Sequence, residues 1–555
     1  MTPDQAVTAP VAIIGGGPVG LMLAMNLDFF GVRSVLINTD ATTRWLPKGS
    51  THNARTLEHF RRLGISKQVR ALGLPADYPT DVGYFTRFNG RQLARLKMPS
   101  EAEKQRTVAR ASATDQVPEP ILRCNQMYVE RFAFEHVKTL PSVSLRFGWN
   151  CVDWSDRGDH VTVEIEEVAP EAGATKRRET WRCAYLAGCD GAHGIVREKL
   201  SARYDGVTLK QDYLGGPMLN SHVSAPDFYR VVKAPLCWQY WAVNPEMRGN
   251  LVVLDGKGEF ILTSRLNALD DQVPEADIAR RLCAMAGVDM PVKFIGHSAW
   301  TAGHVRVADY FARGRAFMAG DAVHLFTPAG GFGMNTGVDD AVNLAWKLAA
   351  VVQGWGGPNL LATYEIERKP VARRNTAAMG QLTRNIGAVP IGQDMEKDTA
   401  AGAGQRRTAG DYLSGFGEEF ASLGVQLGAR YDGSPIVVSD GTAPPPHDPF
   451  RYVASACPGG RTPHLWLDGH VSLFDRLGRY FTVLRFNPER EVGALRAAAQ
   501  TRGVPLTVLD VDLPEGRDLY QRDLALIRPD QHVAWRGDTV PDDCGALIDT
   551  VTASA

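Results

Sequence analysis

Val11-Ala-Ile-Ile-Gly15-Gly-Gly17-Pro-Val-Gly20 decides how this chain is read. Four apolar residues form a short strand, and glycines 15, 17 and 20 stand at GxGxxG spacing where the next helix opens. Glycine there allows a tight turn and lets the backbone approach a pyrophosphate, while the helix N-terminus supplies amide donors and a favourable dipole. Helical patterning runs from Val19 through Phe30, with Pro18 suited to the first turn. Ser34-Val-Leu-Ile37 is a second strand, so the motif sits inside a strand–helix–strand unit. The side chain at the end of that strand is Asn38, where an acidic residue is expected against a ribose hydroxyl. Its amide can still hydrogen-bond a hydroxyl without charge assistance, and Asp40 is the alternative.

Bulk composition narrows the field. The chain has 555 residues, room for about three structural units, and 44% hydrophobic against 22% charged residues points to a packed core. Lysine plus arginine total 61 against 62 acidic residues, which gives no electrostatic case for nucleic acid or an anionic membrane. The eight cysteines form no CxxC pair, so neither metal-ligand spacing nor a disulfide framework is expected. No apolar run reaches membrane-spanning length, and Met1–Pro10 lacks the basic stretch of a secretory signal. A cytoplasmic location is expected.

Along the chain, helices are expected over Thr56–Leu63, Met127–His136, Val338–Trp355 and Thr363–Asn385. Pro75–Pro118 mixes proline, glycine and charge, and reads as an irregular flap. Strand alternation marks Ser144–Phe147 and Val161–Ile165, and the polar stretch Pro170–Thr180 separates that hairpin from Tyr185-Leu-Ala187. From Tyr204 to Ala299 short β-branched and aromatic runs predict an antiparallel sheet, a suitable wall for a flat apolar ligand. Thr399–Gly410 is rich in small residues and reads as a linker. A third unit follows, with a helix over Glu489–Arg502.

A second glycine-dense stretch is longer: Gly314-Arg-Ala-Phe-Met-Ala-Gly320-Asp321-Ala-Val-His324, continuing through Pro328-Ala-Gly-Gly331-Phe-Gly333-Met334-Asn335 to Leu348. A strand ends in Gly-Asp, a loop follows, and a helix begins near Met334. Asp321 can accept hydrogen bonds from a polyol chain, and amides near Gly333–Asn335 can meet an anionic or carbonyl group. At these residues the sequence resembles the class A flavin-dependent aromatic hydroxylases, and the stretch resembles their second FAD fingerprint. Ala187-Gly-Cys-Asp190-Gly191-Ala-His-Gly194-Ile-Val-Arg197 resembles their DG motif, with Gly194 where a serine is usual. Leu122-Arg-Cys-Asn-Gln126 resembles the helix start that places a glutamine on the flavin. Lys48-Gly-Ser-Thr-His52-Asn-Ala-Arg55 resembles the segment that passes the pyrophosphate and ring, with Lys48-Gly49 where an Arg-Ala pair is frequent. Cys457-Pro-Gly-Gly-Arg461 through Asp475 resembles the thioredoxin-like third domain of phenol hydroxylases. Lacking CxxC, that domain cannot perform dithiol chemistry.

The resemblance implies an α/β fold: a Rossmann-like FAD-binding domain of the GR2 type, an inserted antiparallel substrate sheet and a C-terminal thioredoxin-like domain. The implied boundaries are 1–200 and 301–397 for FAD binding, 201–300 for substrate, 398–419 as linker and 420–555 for the third domain. It implies FAD as cofactor, NADH or NADPH as reductant and dioxygen as co-substrate. A flavin C4a-hydroperoxide would hydroxylate a phenolic ring, a small substituted phenol or catechol first. Alternatives are a tailoring hydroxylase of a polycyclic polyketide or antibiotic, an FAD-dependent dehydrogenase, or a non-enzymatic flavin scaffold; no WxWxIP motif supports a halogenase. Cofactor contacts are expected from Gly15, Gly17, Pro18, Gly20, Asn38, Arg55, Gln126, Asp190, Gly320, Asp321, Pro328, Gly331, Gly333, Met334 and Asn335. His222, Trp241, Pro328 and His52 are candidates for the substrate pocket, and His324 for the cofactor shell. The expected partners are a small aromatic substrate and a second copy in a homodimer.

Overall fold

The computed structural model describes residues 7–168, 175–209, 216–417, 420 and 422–554. The turn expected at Pro170–Ala174, Met1–Ala6 and the end of the expected linker at 418–419 lie outside them. Strand Val7–Ile14 pairs in parallel with Ser34–Asn38 on one side and Arg178–Gly188 on the other. Val143–Phe147 and Ala316–Met318 extend the parallel set at its two ends. The helix between the first two strands, Pro18–Phe29, starts with proline in its first turn and is buried over Val19–Leu27. It is apolar all round because it lies between the sheet and the long helix Phe332–Val352. Side chains Val11, Ala12, Ile13, Val35 and Leu36 are fully buried, as a parallel sheet covered on both faces requires.

A seven-stranded sheet is inserted into this unit, in the order Lys293–Ala302, Gly216–Ser224, Glu259–Arg265, Arg248–Val253, Gln239–Val243, Val82–Phe85, Gln92–Leu96. It is antiparallel except where Gln239–Val243 meets Val82–Phe85. The expected flap at Pro75–Pro118 is therefore corrected: it contributes two strands of this sheet and the helix Glu101–Val108. Ser100 and Glu103 close a capping box on that helix. Tyr204–Thr208, expected within the sheet, pairs instead with His304–Ala308.

The expected linker is corrected as well. Ala400–Ser414 is a helix whose N-terminus is capped by Thr399, its Oγ1 accepting from Gly402 N at 3.1 Å. Its small residues serve close packing: a Cβ at Gly410 would collide with the carbonyl of Leu93 in the edge strand. The C-terminal unit runs strand Phe481–Arg485, helix Gly493–Thr501, strand Leu506–Asp510, helix Pro514–Tyr520, strands Leu524–Ile527 and Val533–Gly537, helix Cys544–Val551. The first two of these strands are parallel, the rest antiparallel.

One apolar core runs from the parallel sheet through Trp346 and Trp355 into Phe481, Val483 and Leu526 of the C-terminal unit. A second core joins the inserted sheet to Ala329, Phe332 and Met379. Between the parallel-sheet unit and the C-terminal unit lies a fully buried charge network. Glu367 accepts from Arg528, Lys347, Asn343 and Ser434, and Asp530 accepts from Arg528, Asn343 and Trp346. Burial opposes ionisation of Glu367, yet Arg528 and Lys347 hold its carboxyl well below the usual range. Opposite charges and saturated hydrogen bonding make the pair tolerable in a low-dielectric interior.

Candidate active site

The loops at the carboxyl ends of the parallel strands converge on one groove, the usual ligand crevice of such sheets. Gly15 has φ +106°, and a Cβ there would drive into the Cys189 carbonyl of the neighbouring loop. A Cβ at Gly20 would collide with the Gly15 carbonyl oxygen, so helix and loop touch only because position 20 is glycine. In front of Gly17 nothing lies within 4 Å, which leaves its backbone open to a ligand. Asn38 has a structural duty: its Oδ1 accepts from Gly16 N at 3.0 Å and its Nδ2 donates to the Asp40 carbonyl. The second lone pair of Oδ1 remains for a ligand hydroxyl. The Asp40 carboxylate is committed to Arg44 at 2.7 Å.

Gly320, at φ +64°, packs against Val19, and Gly337 approaches Gly320 so closely that a Cβ would lie 2.9 Å from its Cα. Asp340, fully buried, accepts from Gly320 N at 3.2 Å, His324 Nε2 at 2.7 Å and Arg368 Nε at 2.8 Å. Burial disfavours its charge, and His324 and Arg368 more than offset that, holding the carboxyl low. His324 thus positions the Gly-Asp turn. Asp321 is exposed, and its carboxylate accepts no hydrogen bond from a described residue. Pro328 is exposed beside it, and Gly330 and Gly331 take left-handed backbone, φ +69° and +70°. The first-turn amides of helix Phe332–Val352, Gly333 and Met334 among them, follow this turn and have no partner within the helix.

Asp190 accepts from Val196 N at 3.1 Å through one oxygen, while its other oxygen is buried without a partner among the described residues. Burial pushes its carboxyl up to about 6. A Cβ at Gly194 would collide with this carboxylate, which explains the missing serine: Asp190 occupies the space. Gln126 opens helix Gln126–Val137. Its backbone N donates to Gly49 O at 2.8 Å, and its amide is held by Glu130.

The side chains of two expected cofactor residues, Arg55 and Asn335, are engaged within the protein. The Arg55 guanidinium bonds Glu58 at 2.8 Å, Gln531 at 3.1 Å and the Asp530 carbonyl at 2.7 Å, so it ties helix Ala54–Arg62 to the C-terminal unit. Buried Glu58 also binds Arg461 at 3.0 Å. The Asn335 side chain is saturated by Asn53 N, Thr56 Oγ1, Thr51 O and Gly331 O. It fastens the segment past His52 to the helix start and leaves only its backbone for a ligand. His52 is itself buried, and burial with Arg70 and Arg123 nearby brings its pKa down to about 3.

In the inserted sheet, His222 and Trp241 lie on one face. His222 Nε2 is 3.0 Å from Glu259 Oε2, and Trp241 stacks on Tyr84 at 5.8 Å while donating to Gln239. Asn250, directly opposite Trp241, shares this face. The sequence shows it only as the residue before the apolar run Leu251–Leu254; cross-strand pairing is what sets it against Trp241.

The groove fits FAD. An unpartnered buried Asp190 oxygen, an uncommitted Asp321 carboxylate and an open Gly17 backbone are what a polyol chain and pyrophosphate need. A family model described as FAD binding domain matches residues 8–379, and one described as aromatic-ring hydroxylase, C-terminal, matches 455–554. The FAD-dependent monooxygenase apdD of Emericella nidulans is 31% identical, covering 96% of this chain and 88% of its own length. The 2,4-dichlorophenol 6-monooxygenase of Cupriavidus pinatubonensis is 26% identical, covering 97% and 95%. A solved structure of chromopyrrolic acid-soaked RebC with bound 7-carboxy-K252c is similar at TM-score 0.88 and 32% identity, over 99% of this chain and 100% of that one. The chain belongs to the class A flavin-dependent aromatic hydroxylases: it is an FAD-dependent monooxygenase, of a family whose typical reductant and oxidant are NAD(P)H and dioxygen.

Proposed function

We propose that this enzyme hydroxylates a phenolic aromatic ring held between the inserted sheet and the glycine-rich loop. The observation that carries the reading is the second core, in which Trp238, Trp241 and Met127 belong to the same apolar cluster as Ala329 and Phe332 beside that loop. An aromatic ring entering there meets the cofactor groove on one side and aromatic side chains on the other, away from water. When bound, FAD supplies the redox and oxygen-transfer chemistry. Gly15, Gly17, Pro18 and Gly20 would hold the pyrophosphate, Asn38 a ribose hydroxyl, and Asp190 and Asp321 the polyol chain. Gly333 and Met334 would offer backbone amides, with Gly331 and Pro328 shaping the loop and Gln126 at the opposite wall. The protein's own contribution is to orient the ring and exclude solvent.

Two substrate classes fit this reading: one is a small substituted phenol or catechol, in line with the likeness to a dichlorophenol monooxygenase. A polycyclic aromatic is the second, favoured by likeness to RebC with 7-carboxy-K252c bound. The strand and helix order of the C-terminal unit supports a thioredoxin-like domain. With Cys457 and Cys544 far apart in sequence and all cysteines free, its part is structural. The test is NAD(P)H oxidation by the flavin-loaded enzyme over a panel of phenols, with peroxide followed in parallel. A compound that speeds oxidation while peroxide stays low establishes coupled hydroxylation. No acceleration by any phenol refutes the phenolic reading.

A further inference from the structure

Cross-strand register divides the inserted sheet into two unlike faces. One carries Leu219, Val223, Leu251, Val253, Phe260 and Leu262, a buried apolar packing surface. The other carries two rows in which polar side chains stand among apolar ones. In the first, Asn220, Thr263, Asn250 and Trp241 are successive partners across four strands. In the second, His222, Ile261, Val252 and Gln239 are partners in the same way. This second face looks toward the FAD-binding unit, since a Cβ at Gly296, the partner of His222, would touch Leu46 of that unit at 3.1 Å.

Three side chains on this face keep a buried polar atom unpartnered: Trp300 Nε1 on the edge strand beside Met218, and two in the interior of the sheet. His222 is 1% exposed and its Nδ1 has no partner; Asn250 is 8% exposed and its Oδ1 has none. A buried polar atom left without a hydrogen bond is costly, so the two in the interior of the sheet mark places where a ligand completes the bonding. Glu259 decides the chemistry at His222. Its carboxylate holds Nε2 at 3.0 Å, which fixes the ring and leaves Nδ1 as the atom a ligand can meet. That atom suits a phenolic oxygen. Asn250 Oδ1 is an acceptor, and Asn250 Nδ2 is a donor.

The two anchors stand two strands and one row apart, on the order of 10 Å. That is wider than one benzene ring. Asn220, Thr263, Ile261 and Val252, which lie between and beside them, carry no charge. Arg248 and Arg265 stand at the ends of their strands. We propose that His222, set by Glu259, and Asn250 are two substrate anchors, and that the substrate is an uncharged aromatic of several fused rings with oxygen functions at both ends. This rests on the reading of the sheet as the wall of the hydroxylation site.

The test titrates the FAD-loaded enzyme, wild type and Asn250→Leu, with phenol and with a dihydroxyanthraquinone whose hydroxyls lie on opposite outer rings. Binding is followed by perturbation of the flavin spectrum. The expected result is that wild type binds the anthraquinone at least tenfold tighter than phenol, and that Asn250→Leu lowers this preference about tenfold, the effect of one lost hydrogen bond. His222→Leu should weaken both ligands, with His222→Gln restoring part of the loss. Asn250→Ser serves where Asn250→Leu fails to hold flavin. Phenol binding as tightly as the anthraquinone, or a preference unmoved by either Asn250 variant, overturns the two-anchor proposal and leaves phenol hydroxylation standing. Silence of the flavin toward both probes overturns it together with the phenolic reading.

Discussion

Arg528 grips both oxygens of Glu367, at 2.7 and 2.8 Å, with both side chains fully buried. Glu367 belongs to the helix that packs on helix Phe332–Val352, and Arg528 to the C-terminal unit. The third unit is therefore fastened to the first through charge that neither can expose cheaply.

Removing one partner should be severe. Glu367→Gln leaves Arg528 and Lys347 short of their counter-charge, at a cost of about 3–5 kcal/mol. The expected outcome is a melting temperature lowered by many degrees together with loss of flavin, read by thermal denaturation of the holoenzyme. A melt unchanged within error would mean that the buried network contributes little.

Two glycines of the first loop should separate folding from cofactor binding. Gly20→Ala forces a Cβ into the Gly15 carbonyl, so the variant should be purified unstable and colourless. Gly17→Ala meets nothing of the protein within 4 Å, so its apoprotein should melt like wild type while its affinity for FAD falls roughly tenfold. Equal behaviour of the two would refute the assignment of Gly17 to the pyrophosphate.

Asp321 offers a third contrast. Its carboxylate serves no described side chain, so Asp321→Ala should leave apoprotein stability unchanged. A hydrogen bond to a charged group contributes about 1.5–3 kcal/mol, which predicts FAD affinity ten- to a hundredfold weaker. Fluorescence titration of released flavin measures it.

Asp190 gives a pH dependence. Its carboxyl is pushed up by burial from 3.8 to about 6, so the folded chain binds this proton more tightly than the unfolded one. Stability from this group is present below pH 4, declines as pH rises to 6 and is flat above that, by about 3 kcal/mol in all. Asp190→Asn should thus raise the melting temperature of the apoenzyme at pH 7, with the gain vanishing near pH 4, while weakening FAD binding. A gain that persists at pH 4 would point to packing instead.

The candidate site was legible wherever the chain carries its own punctuation. Glycine spacing after an apolar strand located the groove, because only glycine permits those turns and close approaches, and these are properties of consecutive residues. Side-chain roles were less legible. Arg55 stood among the expected cofactor residues, and its guanidinium reaches Gln531; Asn335 was expected through its backbone, and its side chain reaches Asn53, partners set by distant segments.

By itself the sequence determined the strand–glycine–helix unit and the second glycine-dense stretch, since periodicity and backbone freedom are local. Tertiary structure decided the rest: that Val82–Phe85 joins a sheet beginning over 130 residues later, that a supposed linker is a helix seated on Leu93, and that His222 and Asn250 share one face. The physical reason is that strand pairing, burial and charge compensation depend on which distant segments meet, and no window of sequence contains both partners.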